Sequence, residues 1–329
     1  MNPIDPRIVV ICGGVGAARF LRGLIDLVPP TSISAIVNVA DDMELHGLWV
    51  SPDLDTIMYT LADAIDPERG WGLVDETWQA MEGLGRYGDR NWFSLGDKDL
   101  ATHMQRTAML NEGATLTEAT AHLAEAWDVG VNLLPASNDR VSTRITRADT
   151  GEEISFQEYF VGLRHDVPVA SVAFDGIATA APTPEVATAI EEADIIIVAP
   201  SNPLVSIAPV IEIRGMSDLL RKANAPTVAV SPIVGGNAVK GPAADMLKAL
   251  GHRCDAVGIA ALWKDLADVL VIDQLDAGLA SAVARNGVVP FVTNTIMSDP
   301  DRRRGLARSA LSAAIIAGKC TGGIHDADA

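Results

Sequence analysis

Apolar residues open the chain as a short β-branched run, Ile8-Val9-Val10-Ile11, which a Cys12-Gly13-Gly14-Val15-Gly16 turn interrupts. Beyond it Ala17, Phe20, Leu21, Leu24 and Val28 recur at helical spacing until Pro29-Pro30, the pattern of an amphipathic helix with a proline stop. A second apolar run, Ile33 to Ala40, ends at Asp41-Asp42. Two buried-type strands joined by a helix predict a βαβ unit with a right-handed crossover. Helical periodicity dominates from Asp53 to Trp127. Strand-like runs return at 195–199, 227–230, 269–272 and 288–292, with a loop from Pro200 to Ser206, another from Ser231 to Pro242, and a helix from Ala243. This rhythm predicts an α/β fold: a Rossmann-like open, mostly parallel sheet with helices on both faces. The chain reads as a single unit over 1–329, with residues 1–64 and 166–329 as the core and 65–165 as a mainly helical insertion closing over it.

Composition narrows the function classes. Forty-three acidic residues against 25 basic ones give a net charge of −18, and the pI is about 4.6. That balance argues against nucleic acid, which needs clustered Lys and Arg, and against an anionic membrane surface. Any phosphate-rich ligand must meet backbone amides, a few placed cations or a metal. The hydrophobic share is 48%, enough for a large core, yet no run approaches the ~20 apolar residues of a membrane span. The opening Met-Asn-Pro-Ile-Asp-Pro-Arg lacks a signal-peptide pattern. Cys12, Cys254 and Cys320 are odd in number and far apart, which points to a reducing, cytoplasmic setting.

In such sheets ligands sit beyond the carboxyl ends of the strands, so the post-strand segments carry the candidate chemistry. Gly13, Gly14 and Gly16 can offer backbone N–H groups to a phosphate at a helix N-terminus. The competing reading is a tight turn that needs small residues, and Arg19 stands where a third dinucleotide-type glycine would be. Asp41 and Asp42, paired at a strand end, suit a metal better than a single ribose contact. Gly235, Gly236 and Lys240 lie in a loop that is no Walker A motif, since proline follows where Ser or Thr should hold magnesium; its amides and one cation still suit a diphosphate. Ser51 and Pro52 read as N-cap and first residue of a helix, with Asp55 beside its apolar stripe. Asp99, His103 and Arg106 share a helix face at i, i+4 and i+7, which alone equally suits a solvated ion-pair face. Seven of the 15 aromatics, Trp49, Tyr59, Trp71, Trp78, Tyr87, Trp92 and Phe93, fall between Trp49 and Phe93, enough to stack a flat ring.

Taken in order, several motifs resemble the 2-phospho-L-lactate transferase family of deazaflavin coenzyme biosynthesis. They are Gly13 to Leu21, Val37 to Asp42, His46-Gly47-Leu48, Ser51 to Thr56, Gly96 to His103, Pro200 to Ser206 and Ser231 to Gly236. Arg69-Gly70-Trp71-Gly72, Asp75-Glu76-Thr77-Trp78 and Leu133-Leu134-Pro135-Ala136 look like its actinobacterial, phosphoenolpyruvate-type branch. The resemblance implies a magnesium-dependent transferase, usually a homodimer. Its donor would be a guanosine diphosphate ester of lactate or enolpyruvate, its acceptor the ribityl hydroxyl of the deazaflavin Fo, and its leaving group GMP. Carried onto this chain, it assigns Mg²⁺ to Asp41, Asp42 and Asp55 and catalysis to Asp55 and Asp41. Fo would meet Asp55, Lys98, His103, Trp92 and Arg106, and the nucleotide would meet Gly13, Gly14, Gly16, Asn38, Ser201, Asn202, Ser231, Gly235, Gly236 and Lys240. Two positions depart from the family pattern: Lys98 replaces an arginine, losing the bidentate fork, and Asn138-Asp139 stands where two acids are common. Rival readings are a nucleotide-sugar-binding regulator of the gluconeogenesis-factor type, which lacks the Ser51 to Asp55 and Gly96 to His103 motifs, and an NAD-dependent oxidoreductase.

Overall fold

The computed structural model describes residues 5–88 and 92–318. The opening pattern folds as read: β1 (Ile8–Cys12), α1 (Gly14–Leu24) and β2 (Ile33–Val37) form a parallel βαβ unit with Ile8 opposite Ile33 and Cys12 opposite Val37. A two-stranded antiparallel hairpin follows, β3 (Met43–Leu45) with β4 (Leu48–Val50). Four helices come next: α2 (Pro52–Leu61), α3 (Gln79–Leu84), α4 (Asp99–Asn111) and α5 (Leu116–Ala126). A capping box starts α5, with Thr115 and Glu118 each bonding the other's backbone N–H.

The chain then re-enters the sheet through β5 (Asn132–Pro135), paired parallel to β2. A three-stranded antiparallel sheet follows, with β6 (Ser142–Arg147) between β7 (Glu153–Ser155) and β8 (Val169–Asp175). The remaining core strands are β9 (Ile195–Val198), β10 (Thr227–Val230), β13 (Val269–Asp273) and β14 (Val289–Thr293); a small hairpin, β11 (Ile233–Val234) and β12 (Asn237–Ala238), lies between β10 and β13. The seven-stranded sheet runs β14-β13-β10-β9-β1-β2-β5, and every pairing in it is parallel.

Both faces are covered, as parallel sheets require. Along β1, Ile8, Val10 and Cys12 pack into one core with Phe20 and Leu54, while Val9 and Ile11 pack into another with Ile207 and Ile259. The mainly helical cover expected over 65–165 is therefore corrected at its C-terminal end, where 132–135 is a core edge strand and 142–155 is antiparallel sheet. The physical reason is length: four residues, Asn132-Leu133-Leu134-Pro135, are too few to show a period, and Leu133 and Leu134 are buried by the cores on opposite faces of the sheet.

This topology fixes the ligand side. From β1 the chain steps outward through β2 to β5, then returns to place β9 on the other flank of β1. The strand order reverses between β1 and β9, where open α/β sheets bind ligands.

Candidate active site

At that reversal the turn after β1 meets the loop after β9. Gly16 lies so close to Pro200 that a Cβ there would stand 2.4 Å from the Pro200 carbonyl oxygen. Ser201 ties the two loops by donating its hydroxyl to the Gly13 carbonyl at 2.8 Å. Between them opens a cavity of about 600 Å³. Its lining includes Gly13, Gly14, Gly16, Ser201, Asn202, Ser231 and Lys240, all singled out from the sequence. Asn38, Gly235 and Gly236 do not line it. Asn38 is buried beneath the floor, Gly235 donates its N–H to Asp276, and Gly236 turns toward Cys254, whose thiol donates to the Gly236 carbonyl.

Asn38 organises the acids of the floor. Its amide nitrogen donates to Asp53 Oδ2 at 3.0 Å and to Asp41 Oδ2 at 3.2 Å. Asp41 and Asp53 both face the cavity, while Asp42 lies behind, accepting from the Ser51 hydroxyl at 2.7 Å and from Trp49 Nε1 at 3.1 Å. Ser51 stands at the N-cap position, yet its hydroxyl goes to Asp42 and makes no helix cap. Burial pushes all three carboxyls up: Asp42 to about 8, Asp53 to about 6, and Asp41 upward again through the neighbouring Asp53 charge. Among the described residues, Asp41 and Asp42 each keep Oδ1 buried with no hydrogen-bond partner. Buried carboxylates short of partners are the oxygen donors that a hard divalent cation accepts.

Asp55 lies away from this cleft. Residues two apart on a helix point about 200° away from each other, so with Asp53 toward the cavity Asp55 faces α4. There Arg106 Nη1 lies 3.1 Å from Asp55 Oδ2 and Nη2 bonds Oδ1, with His103 Nδ1 3.6 Å from Oδ2. Asp99 closes the cluster, receiving the Tyr59 hydroxyl at 2.6 Å and lying 3.4 Å from His103 Nε2. Asp55, Asp99 and His103 do offer atoms within 4.8 Å of one another, but Arg106 already neutralises Asp55, so we read a buried ion-pair network. None of Asp55, His103 and Arg106 lines the cleft.

The other expected acceptor contacts also lie elsewhere. Lys98 donates its ammonium to the Val74 carbonyl at 2.8 Å, a contact within the helical cover. Trp92 lines a second, smaller cavity of about 260 Å³. Aromatic surface reaches the main cleft instead through Trp71, Phe93, Phe156 and Phe160. Phe156 and Phe160 stack at 5.5 Å, with His165 continuing the ladder 5.7 Å beyond. Phe160 belongs to a π-helical turn, Glu158–Gly162, and a second such turn, Pro203–Ile207, follows Asn202 on the facing loop; π-turns gather at functional sites. Sequence reasoning missed Phe156 and Phe160 because they sit in an irregular turn outside the aromatic-rich stretch.

Arg19 was visible only as a misfit to a glycine pattern, and it too lines the cleft. Lys240 shares that wall beside Gly70. Burial lowers its pKa, and the Arg19 charge lowers it further. Among the described residues neither cation has an acidic partner, in a chain with an 18-charge acidic excess.

The family profile of 2-phospho-L-lactate transferase CofD matches residues 8–304. The chain is 43% identical over 312 residues to the phosphoenolpyruvate transferase of Streptomyces griseus subsp. griseus, covering 94% of this chain and 98% of that one. It is 46% identical over 278 residues to the phosphoenolpyruvate transferase of Mycobacterium avium, covering 77% and 82%. A solved structure of a UPF0052 family member from Bacillus halodurans superposes with a TM-score of 0.60 at 16% identity, covering 94% of this chain and 99% of that one; at that identity the likeness speaks for the fold. With motifs, parallel sheet and switch-point cleft in agreement over nearly the whole length, this chain is a transferase belonging to the 2-phospho-L-lactate transferase (CofD) family of deazaflavin coenzyme biosynthesis.

Proposed function

We propose that the cleft moves a phosphoenolpyruvyl group from a guanosine diphosphate ester onto the terminal ribityl hydroxyl of Fo. The hydroxyl oxygen forms a bond to the phosphorus bearing the small acid, the diphosphate P–O bond breaks, GMP leaves with that oxygen, and the hydroxyl proton is released. One observation carries the reading: Arg19 and Lys240, two cations without acidic partners among the described residues, share one cleft with the carboxyl pair Asp41 and Asp53. That is the charge arrangement of a phosphate chain held beside a cation.

The residues present fit magnesium, because Asp41 keeps a buried, unpartnered oxygen and Asn38 presents Asp41 and Asp53 together. Asp41 and Asp53 would hold it, in place of the Asp41, Asp42 and Asp55 set, with Asp42 behind them. When bound, magnesium offsets phosphate charge, the main requirement of a loose phosphoryl-type transition state. The chain's own part is positioning. Gly14 lies against Asp53, and the amides of Val15 and Gly16 in the first turn of α1, which lack intrahelical acceptors, would meet the phosphates together with Arg19 and Lys240. Phe93, Phe156, Phe160 and Trp71 offer faces to the deazaflavin ring.

The names of the Streptomyces and Mycobacterium relatives favour enolpyruvate over lactate as the donated acid. A homodimer in the cytoplasm belongs to the same reading; no helix among the described residues is long and apolar enough to cross a membrane. The test is turnover: purified protein with Mg²⁺, Fo and the guanosine diphosphate ester of enolpyruvate or lactate should release GMP in step with Fo consumption. GMP release that ignores Fo would reject the proposal.

A further inference from the structure

The smaller cavity adjoins the main cleft, because Asp41, Phe156 and Gln157 line both. Two segments give it opposite characters. Residues 41–44 bring Asp41, Asp42 and Glu44, whereas residues 140–144 bring Arg140, Thr143 and Arg144. The second segment is held in place at several points. Asn138 accepts from the Thr117 N–H and hydroxyl at 2.9 Å, Asp139 accepts from the Ala181 N–H at 3.0 Å, and Thr143 donates its N–H to the Ala40 carbonyl at 2.7 Å.

Arg140 is held by an aromatic face. Its guanidinium lies 5.5 Å from the Trp49 ring centroid, and that indole is itself fixed by its N–H on Asp42. A cation–π contact orients a guanidinium without consuming its N–H donors, and among the described residues Arg140 has no carboxylate partner. Arg144 commits Nε to Asp175 at 2.7 Å. Thr143, 2% exposed, keeps Oγ1 buried beside the Asp41 carboxyl, which it favours in the charged form, and among the described residues the hydroxyl makes no hydrogen bond of normal geometry.

We propose that this pocket binds the carboxylate of the three-carbon acid carried by the donor, with Arg140 as its main contact and the Thr143 hydroxyl and Arg144 in support. The inference rests on the transferase reading above. A phosphate held through a cation on Asp41 would lie at the shared wall, and the acid's carboxylate, three bonds from phosphorus, would extend into the adjoining space where Arg140 and Arg144 keep N–H donors free. The tether decides which wall the carboxylate meets, so the acids of 41–44 do not exclude it. The pocket then reads the charge of the donated acid, while the main cleft reads the nucleotide.

Calorimetric titration of the full-length protein with GDP, with the guanosine diphosphate ester of lactate, and with the carboxamide of that ester tests this directly. In the wild type the acid should bind about 10- to 100-fold more tightly than the carboxamide, the worth of a charged hydrogen bond. Arg140→Gln should bring that ratio close to one with GDP affinity unchanged, Arg140→Lys should be intermediate, and Thr143→Val should lower the ratio several-fold. A ratio that persists in Arg140→Gln, or that is already near one in the wild type, overturns the carboxylate pocket while GDP binding upholds the nucleotide cleft. Failure of the wild type to bind GDP overturns the transferase reading and the pocket with it.

Discussion

Arg106 grips both oxygens of the Asp55 carboxylate across the α2–α4 contact, where the two side chains are 1% and 6% exposed. The pair is the anchor of the helical cover. Its placement also explains why two acids on α2 have different fates: Asp55 is neutralised inside the fold and Asp53 is left to the cleft.

Removing either partner strands a buried charge. Arg106→Met should therefore lower unfolding free energy by about 3–5 kcal/mol, read from urea denaturation. The double variant Asp55→Leu/Arg106→Met should be more stable than Arg106→Met alone. Equal losses in the single and double variants would show that the pair is not coupled.

Asp53→Asn should behave in the opposite way. Its neighbour Asn38 can still donate to an amide oxygen, so the melting temperature should stay within a few degrees of wild type. Mg²⁺ affinity measured with GDP present should fall at least tenfold, and turnover should fall with it. A variant that melts normally and binds Mg²⁺ normally would return the metal-ligand role to other acids.

How far the sequence reaches is clear from these two residues. The strand-loop-helix rhythm located β1, β2, β9, β10 and β13 and the glycine turn, because parallel strands buried on both faces read as continuous apolar runs, and the half-exposed edge strand β14 was legible from its valines and phenylalanine. The motif Ser51 to Asp55 was legible as a helix start bearing acids. Which acid faces the ligand was not legible, since it depends on how α2 is rotated against α4, and Arg106 lies 51 positions away from Asp55. The aromatic wall was legible in part: Trp71 and Phe93 of the conspicuous cluster reach the cleft and Trp92 does not, while Phe156 and Phe160 reach it from a π-turn with no periodic signature.

The contact between the β1 and β9 loops predicts a sharp size limit at Gly16. A methyl group there meets the Pro200 carbonyl oxygen, and neither backbone can yield without moving a strand end. Gly16→Ala should cost about 1–3 kcal/mol of stability and weaken GDP binding at least tenfold by calorimetry. GDP affinity equal to wild type would show that the turn tolerates the displacement.

Acid should loosen the α4 cluster. Burial opposes the charge on Asp99, but the hydrogen bond and charge of His103, the Tyr59 hydroxyl and Arg106 outweigh it and hold the carboxyl below its usual range. A depressed folded value gives stability that is present above the unfolded value of about 3.9 and lost as pH falls through the folded one. Asp99→Asn should therefore be less stable than wild type at pH 6, and the gap should narrow below about pH 4. A gap independent of pH would assign the loss to packing.

The switch-point cleft is proposed to hold Fo beside a guanosine nucleotide, and fluorescence titration of the purified protein with Fo is the sharpest test. Saturable binding that responds to GDP and Mg²⁺, ignores NADH, and weakens about tenfold in Phe160→Ala is the predicted result. Fo that fails to bind with or without GDP and Mg²⁺ would contradict the account.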